Sequence, residues 1–290
     1  MRSRSLVALL GFLFIGMGGV SILPADDATT NPLIHKEKRV DVGDCSLYFT
    51  WISGNETAVL FEAGGGMDSS EWKEIAATVA GRTGATVIRY DRAGFGQSDL
   101  PDFPCRMDTE ARWLRTGLTR LGVEKKLILV GHSYGGFMVR LFASMYPESV
   151  RGMVFVDPFS VELVDLLGVE YLDNHPMVGK LPFDASNPEV LTKYQKALVR
   201  MVGDGLGPKT ELMRDTTLPK GIPIRLITSK VPFLPKSEEQ EAWWKAHRQI
   251  AAGNKEITLV EAKKSHHMVP TTEPDLIIDQ ILEVFQLAKK

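Results

Sequence analysis

Short hydrophobic runs, rich in β-branched and aromatic side chains, recur along the chain. Most of them are continuous rather than alternating, which is typical of strands whose two faces are both covered in a parallel sheet. The runs are SLYFTWI (46–52), AVLFE (58–62), TVIRY (86–90), LILV (127–130), MVFVD (153–157), IRLIT (224–228) and ITLV (257–260). The pattern predicts a strand in each of these runs.

Stretches of helical length lie between most of the runs. They are EWKEIAATVA (71–80), DTEARWLRTGLTRLG (108–122), SEEQEAWWKAHRQIAAG (237–253) and EPDLIIDQILEVFQLAKK (273–290). This alternation predicts an α/β fold with an open, mostly parallel sheet wrapped by helices. Residues 158–221 break it, because they hold helical pieces and turn signals but no convincing strand. We therefore predict one domain over residues 26–290, with an insertion above the sheet at about 158–221.

The beginning of the chain has the organisation of a secretory signal peptide. Two arginines precede an apolar stretch over residues 6–23, and Ala25 stands before two aspartates. This order predicts that residues 1–25 are a signal peptide and that the protein is secreted or periplasmic. An uncleaved membrane anchor is the alternative, because the apolar stretch approaches the roughly 18 to 20 residues that a bilayer needs.

Composition and charge limit the classes of partner. The chain has 290 residues, of which 44% are hydrophobic and 24% charged, as in an ordinary globular protein. The formal net charge is −2, and removal of Arg2 and Arg4 with the leader would make it −4. The sequence has no excess of basic residues that would suggest nucleic acid or an anionic membrane as partner. We expect a small-molecule substrate, and membrane contact only through an uncleaved leader.

Cys45 and Cys105 are the only cysteines in the sequence. Two cysteines are too few for a disulfide scaffold or a thiolate metal cluster, and the sequence predicts no metal and no cofactor. In an oxidising compartment the two could form one bridge. Two unlinked small apolar side chains are an equally open interpretation.

A serine stands between glycines in the stretch VGHSYGG, residues 130–136. A predicted strand ends directly before Gly131, and a helical pattern begins directly after Gly136. Strand, sharp turn and helix is the context of a nucleophile elbow, in which the serine takes a strained backbone conformation. Gly131 and Gly135 would let neighbouring chains approach the turn. Ser133 is thus the predicted nucleophile, and an ordinary Gly/Ser turn is the competing interpretation.

Four stretches together resemble the α/β-hydrolase superfamily: FEAGGGMDSSEW, YDRAGFGQSD, VGHSYGGFMVRLFASMYPESVRGMVFVDP and SHHMVPTTEPDLIIDQI. The resemblance covers about residues 38–288. It implies the α/β-hydrolase fold, with a mostly parallel sheet of about eight strands, helices on both faces and a helical cap. It also implies a hydrolase whose site combines a serine, a histidine and an acid.

The resemblance also implies the oxyanion hole and the general base. One oxyanion donor would be the amide of Tyr134, and the other the amide of Gly65 in the loop AGGGM, with Gly66 close behind. The base would lie between the last strand and the final helix, where spacing to the helix-opening proline favours His267 over His266. The other histidines are interpreted as structural or surface residues: His35, His132, His175 and His247. Of these, His132 is expected to point away from the cleft.

The acid has candidates on two different segments. Asp157 ends the strand MVFVD, and some superfamily members take their acid from the end of this strand. More commonly an aspartate follows the strand that corresponds to IRLIT, but the loop there offers only glutamates, among them Glu238 and Glu239. Asp157 is therefore the predicted acid, and the two glutamates are the alternatives.

The serine also narrows the reaction. A dehalogenase or an epoxide hydrolase would need an aspartate where Ser133 stands, which argues against both. The resemblance implies a serine hydrolase that acts on ester or thioester bonds through an acyl-enzyme. An amide hydrolase resembling the proline iminopeptidases and a non-catalytic binding protein that keeps only the scaffold are the alternatives.

Overall fold

The computed structural model describes residues 33–102 and 106–289, and these contain an eight-stranded sheet. The strands are β1 (His35–Asp41), β2 (Ser46–Ile52), β3 (Asn55–Glu62), β4 (Ala85–Asp91), β5 (Leu127–His132), β6 (Val150–Val156), β7 (Ile224–Val231) and β8 (Ile257–His266). Their spatial order is β1-β2-β4-β3-β5-β6-β7-β8. The β1–β2 and β2–β4 pairs are antiparallel and the other pairs are parallel. The predicted fold class is confirmed, whereas the predicted leader at 1–25 and Cys105 lie outside the described residues.

Ten helices are described between and after these strands. They are α1 (Lys73–Thr83), α2 (Met107–Leu121), α3 (Tyr134–Met145), α4 (Val161–Leu167), α5 (Val169–Asn174), α6 (Lys193–Gly203), α7 (Gly207–Arg214), α8 (Ser237–Gly253), α9 (Val269–Thr272) and α10 (Pro274–Leu287). Residues 157–223, all of them described, hold α4 to α7 and no strand. Of the helices in the described ranges, none is long and apolar enough to span a bilayer.

The central strands are continuous hydrophobic runs because helices cover both faces of the sheet. In β5, Ile128 and Val130 pack in the core cluster that includes α1 and α10. Leu127 and Leu129 pack in the opposite cluster, which includes α2 and α3. All four side chains are fully buried. Successive side chains of a strand point to opposite faces, so a strand that is covered twice has no exposed position for a polar residue.

Strand β1 is an element that the hydrophobic pattern does not predict. Its sequence is HKEKRVD, and every residue in it except Val40 is exposed. β1 lies at one edge of the sheet and pairs with β2 alone. Charged side chains are common on edge strands because they discourage pairing with another chain. The polar sequence therefore reflects its position at the edge.

Parallel strands bring several loops to one edge of the sheet. The carboxyl ends of β3, β5, β6 and β8 are followed by residue 63, Ser133, Asp157 and His267 respectively. In open α/β sheets, ligands bind outside the carboxyl ends of the strands. The fold therefore positions the predicted site residues at the edge where a site is expected.

Candidate active site

Ser133 occupies the sharp turn between β5 and α3. Its φ is 51° and its ψ is −120°, and residues other than glycine rarely adopt such a positive φ. A Cβ atom at Gly131 would lie 2.6 Å from the Gly135 carbonyl oxygen, and one at Gly135 would lie 2.7 Å from the Glu62 and Ala63 carbonyl oxygens. No side chain fits at such distances. The two glycines are therefore required for the turn that projects the serine.

The structure brings Ser133, His267 and Asp157 into one hydrogen-bonded chain. The Ser133 Oγ atom lies 2.9 Å from His267 Nε2, and His267 Nδ1 lies 2.7 Å from Asp157 Oδ2. When Nδ1–H donates to the carboxylate, Nε2 carries the lone pair and can accept the hydroxyl proton. The geometry is that of a serine whose proton can be removed by an imidazole.

The Asp157 carboxylate is buried and surrounded by hydrogen-bond donors. Its Oδ1 atom accepts from the Ser229 backbone N–H at 2.8 Å and from Trp243 Nε1–H at 3.1 Å. Its Oδ2 atom accepts from the Ser229 hydroxyl at 2.8 Å as well as from His267. Burial alone would raise the pKa of Asp157, but these bonds and the charge of His267 hold it below its ordinary value. Asp157 is therefore ionised at neutral pH.

His267 lies in an aromatic enclosure. Its ring centroid is 4.9 Å from that of Phe233 and 5.4 Å from that of Trp243. Burial lowers the pKa of His267 below its ordinary value, and the hydrogen bond and charge of Asp157 oppose this shift only in part. The imidazole is therefore neutral at pH 7 and available as a proton acceptor.

Two candidate oxyanion donors lie beside the serine, the N–H of Gly65 in the loop after β3 and the N–H of Tyr134 at the start of α3. Gly65 and Tyr134 line the same cavity as Ser133, and a Cβ atom at Gly65 would lie 3.4 Å from Tyr134 Cβ. Within the described part of the chain, neither of these two N–H groups donates to a protein acceptor. Both are therefore available to a substrate oxygen. Gly66, the nearby alternative, is not among the described residues that line this cavity.

A buried arginine holds this glycine loop. The Arg92 guanidinium donates to the carbonyl oxygens of Ala63 at 2.6 Å and Gly64 at 2.5 Å, and it pairs with the Glu62 carboxylate. Both charged side chains are almost completely buried. A buried charge needs such partners, so the loop backbone and the arginine fix each other. Arg92 thereby fixes the path of the chain just before Gly65.

Two cavities adjoin at Tyr134, Met201 and Lys209. The smaller one, about 200 Å³, contains Ser133 and His267 and is mainly apolar; its hydrophobic lining is Met67, Phe159, Met177, Val178, Met201, Val202, Leu206, Phe233 and Met268. The larger one, about 440 Å³, has a more charged lining: Arg92, Arg106, Glu110, Arg200, Asp204 and Lys209. Helices inserted between β6 and β7 line both cavities. Within residues 33–102 and 106–289, no three metal-ligating side chains are grouped as a metal site would require.

The alternative base and the alternative acids lie outside the hydrogen-bonded chain. His266 is exposed and does not contact Ser133 or Asp157 in the described residues. Glu238 is also exposed. Glu239 is buried, but its carboxylate accepts hydrogen bonds from the Tyr171 hydroxyl and the Lys236 backbone N–H rather than from a histidine beside the serine.

His132 is buried next to His267. Its side chain is 1% exposed, and its ring packs against that of His267 with centroids 4.8 Å apart. Its Nδ1 atom lies 2.5 Å from the Glu71 carboxylate.

Sequence reasoning missed the donors that surround Asp157. Ser229 directly follows the run IRLIT, at a place where the superfamily more commonly has an aspartate. The absence of that aspartate is the one signal in the sequence that could have pointed to Ser229. Trp243 lies on α8, which is separated from Asp157 by the whole inserted segment. Trp243 is buried on α8, and hydrophobic periodicity does not reveal which polar atom receives its indole N–H.

Comparison with known proteins supports the same architecture. The family model described as alpha/beta hydrolase fold matches residues 57–192. The Bacillus subtilis protein YqjL is 24% identical over 250 residues, covering 86% of this chain and 92% of that protein. The haloalkane dehalogenase DatA from Agrobacterium tumefaciens superposes with a TM-score of 0.63 at 17% identity, over 88% of this chain and 97% of its own. An esterase from Thermogutta terrifontis superposes with a TM-score of 0.57 at 20% identity, over 88% and 100%.

The sheet topology and the family match define the class of fold: the chain has the α/β-hydrolase fold. At this level of identity the solved structures establish the fold alone. A dehalogenase and an esterase share that fold, so the fold does not select the reaction. The side chains around residue 133 therefore decide which reaction the site can support.

Proposed function

We propose that the protein is a serine hydrolase that cleaves an ester or thioester bond of a small molecule through an acyl-enzyme. The observation that carries the proposal is the continuous chain from the Ser133 hydroxyl through the His267 imidazole to the Asp157 carboxylate, with contacts of 2.9 and 2.7 Å. Each of the three groups has the protonation state that its role requires, since His267 is neutral and Asp157 is ionised.

In the first half of the reaction, Ser133 Oγ attacks the carbonyl carbon and its proton passes to His267 Nε2. The negative charge moves to the carbonyl oxygen, where the N–H groups of Gly65 and Tyr134 would donate to it. The resulting imidazolium is stabilised by Asp157. When the tetrahedral intermediate collapses, His267 returns the proton to the departing alcohol or thiol, and the acyl group remains on Ser133.

In the second half, water replaces the leaving group. His267 Nε2 takes a proton from water while the hydroxide oxygen attacks the acyl carbon, and the second tetrahedral intermediate uses the same two N–H groups. Collapse releases the carboxylic acid, and His267 returns its proton to Ser133 Oγ. The step needs no redox partner and no metal, because protons and electron pairs balance among the three side chains and water.

The apolar cavity supports a small acyl group. Its volume is about 200 Å³, and methionine and phenylalanine side chains form much of its wall. Methionine is flexible and fills irregular space, so such a wall can adapt to several acyl shapes. We infer a short, mainly apolar acyl chain beside Ser133.

Amide hydrolysis is the second candidate activity. The cavity next to Tyr134 carries carboxylates, Glu110 and Asp204, which could receive the amino group of an aminoacyl substrate. Arg200 and Lys209 line the same cavity, however, and their positive charges would repel a cationic amino group. The charge balance therefore favours the ester hydrolase. A non-catalytic scaffold is disfavoured because it would have no need to retain the hydrogen-bonded chain.

A substrate panel tests the proposal. p-Nitrophenyl esters of graded acyl length should be hydrolysed with the highest kcat/KM at short chains, and aminoacyl anilides should be much poorer substrates. Ser133→Ala is the matched control and should reduce ester turnover to background. Preference for the anilides would replace the ester hydrolase with a peptidase. Absence of Ser133-dependent turnover of either class, in folded protein, would contradict the enzyme altogether.

A further inference from the structure

A second histidine and carboxylate lie buried beneath His267. Glu71 belongs to the short 3-10 helix Ser69–Trp72, and His132 is the last residue of β5. Glu71 Oε1 and His132 Nδ1 are 2.5 Å apart, and the two side chains are 2% and 1% exposed. The proposed reaction uses neither group. Two ionisable side chains without a function in the reaction are costly to bury, so their placement requires an explanation.

The two ends of this pair hold two different loops of the site. The second carboxylate oxygen, Glu71 Oε2, accepts the backbone N–H of Gly64 at 2.8 Å, directly before Gly65. At the other end, His132 Nε2 lies 3.0 Å from the backbone carbonyl oxygen of His267. The Glu71 carboxylate and the His132 imidazole thus connect the backbone of the oxyanion loop at Gly64 to the backbone of the loop that carries the base.

The hydrogen bonds fix the protonation of the pair. Both ring nitrogens of His132 face oxygen acceptors, a carboxylate on one side and a carbonyl on the other. Beside an ionised carboxylate, a neutral imidazole with its single N–H would direct a lone pair at one of these oxygens. The arrangement therefore calls for an imidazolium beside the Glu71 carboxylate. In agreement, the charge of Glu71 and its hydrogen bond raise the pKa of His132, although burial alone would lower it.

We propose that Glu71 and His132 are positioning residues that hold the Gly64–Gly65 backbone and the His267 loop at a fixed separation. The inference rests on the proposed function, because the separation matters only if Gly65 and His267 act on one substrate carbonyl. A donor displaced from the developing oxyanion, or a base displaced from the hydroxyl, lowers the rate without preventing binding.

The pair also affects the charge state of the base. Four ionisable side chains near His267 shape its electrostatic environment: Asp157, His132, Glu71 and, through its contact with Asp157, His247. Asp157 and Glu71 favour the imidazolium form of His267, whereas the His132 cation opposes it. Burial lowers the pKa of His247, which leaves that imidazole neutral at pH 7. The His132 cation thus helps to keep His267 unprotonated, as a base must be.

Two substitutions of Glu71 separate the hydrogen bonds from the charge. In Glu71→Gln the amide oxygen can still accept from Gly64 and the amide N–H₂ can donate to a neutral His132, whose Nε2–H still reaches the His267 carbonyl. In Glu71→Ala the contact with the Gly64 N–H and the contact with His132 are both lost. We expect kcat on a short p-nitrophenyl ester to fall by about 100-fold in Glu71→Ala, to recover to within about tenfold of wild type in Glu71→Gln, and KM to change little in both.

The pH profile provides the readout that a merely structural role would not change. Neutralising the pair in Glu71→Gln removes the His132 cation, whose opposition to protonation of His267 exceeds the support from Glu71. The acidic limb of kcat/KM should therefore move to higher pH in Glu71→Gln. An unchanged limb would overturn the proposal even if Glu71→Ala fails to fold and cannot be assayed.

A matched control is another buried histidine that lies near a carboxylate. His175 is 3.3 Å from Glu239 and lies outside both cavities beside Ser133. His175→Gln should alter thermal stability but leave kcat and the pH profile unchanged. If Glu71→Ala is folded and keeps kcat within about threefold of wild type, the positioning role is wrong. If wild type itself shows no Ser133-dependent turnover, the proposed function has failed instead.

Discussion

Replacement of Asp157 by asparagine changes one oxygen to an amide nitrogen and tests the proposed acid. The position of Oδ1 receives two donors, the Ser229 backbone N–H and the Trp243 indole N–H, and neither can act as an acceptor. The asparagine oxygen must therefore occupy that position. Its N–H₂ group then faces His267 Nδ1, and it obliges His267 to carry its own proton on Nε2. That tautomer cannot accept the Ser133 proton.

The size of the effect follows from this tautomer argument. Loss of the acceptor nitrogen, together with loss of the charge that stabilises the imidazolium, should lower kcat by about 10²- to 10⁴-fold. This corresponds to about 2.7 to 5.4 kcal/mol of transition-state stabilisation. The protein should remain folded, because the Ser229 hydroxyl can rotate to accept from the new amide group. Steady-state hydrolysis of a short p-nitrophenyl ester measures the loss, and near-UV circular dichroism checks the fold.

Glutamine variants of the alternative acids are the controls. Glu238 is exposed, and Glu239 is bound by Tyr171 and Lys236, so Glu238→Gln and Glu239→Gln should keep nearly wild-type kcat. A folded Asp157→Asn protein that retains kcat within tenfold of wild type would refute the tautomer argument. A large loss in either glutamine variant instead would transfer the role of the acid to that glutamate.

Three further predictions concern the base, its titration and the leader. His267→Ala should lower kcat by several orders of magnitude and His266→Ala should cost far less, because of these two histidines only His267 bonds to the Ser133 hydroxyl; the reverse ranking in steady-state kinetics would contradict this. Burial lowers the pKa of His267 below 6.5, and the reaction needs its neutral form, so the acidic limb of kcat/KM should have its midpoint below pH 6.5; a limb centred above pH 7 would be inconsistent. If residues 1–25 are a cleaved signal peptide, the intact mass of exported protein should give an N-terminus near Asp26, whereas Met1 retained on membrane-bound protein would favour the anchor.

Much of the fold can be predicted from the sequence because its elements carry local signals. The run LILV is buried on both faces in the structure, and the predicted helix 237–253 coincides with α8. Strand β1 carries no such signal. Its residues are mostly polar, and its pairing with β2 is an antiparallel edge contact that hydrophobic periodicity does not encode.

The candidate site divides in the same way. Ser133 is recognisable because a strand, a glycine-flanked turn and a helix follow one another within a few residues. The contacts of Asp157 with Ser229 and Trp243 join positions 72 and 86 residues apart, so they depend on how three elements pack. The same holds for Glu71 and His132, which meet across 61 residues. A single sequence contains these residues but not their distances.

The central claim, that Ser133 is an activated nucleophile, is tested most directly by covalent labelling. Purified wild-type protein should react with a fluorophosphonate probe, and peptide mass spectrometry should locate the adduct on Ser133, because the His267 imidazole accepts the hydroxyl proton and two N–H groups are available for the oxyanion. Folded Ser133→Ala protein should show no labelling. Labelling that persists in Ser133→Ala, or folded wild-type protein that fails to react, would contradict the account.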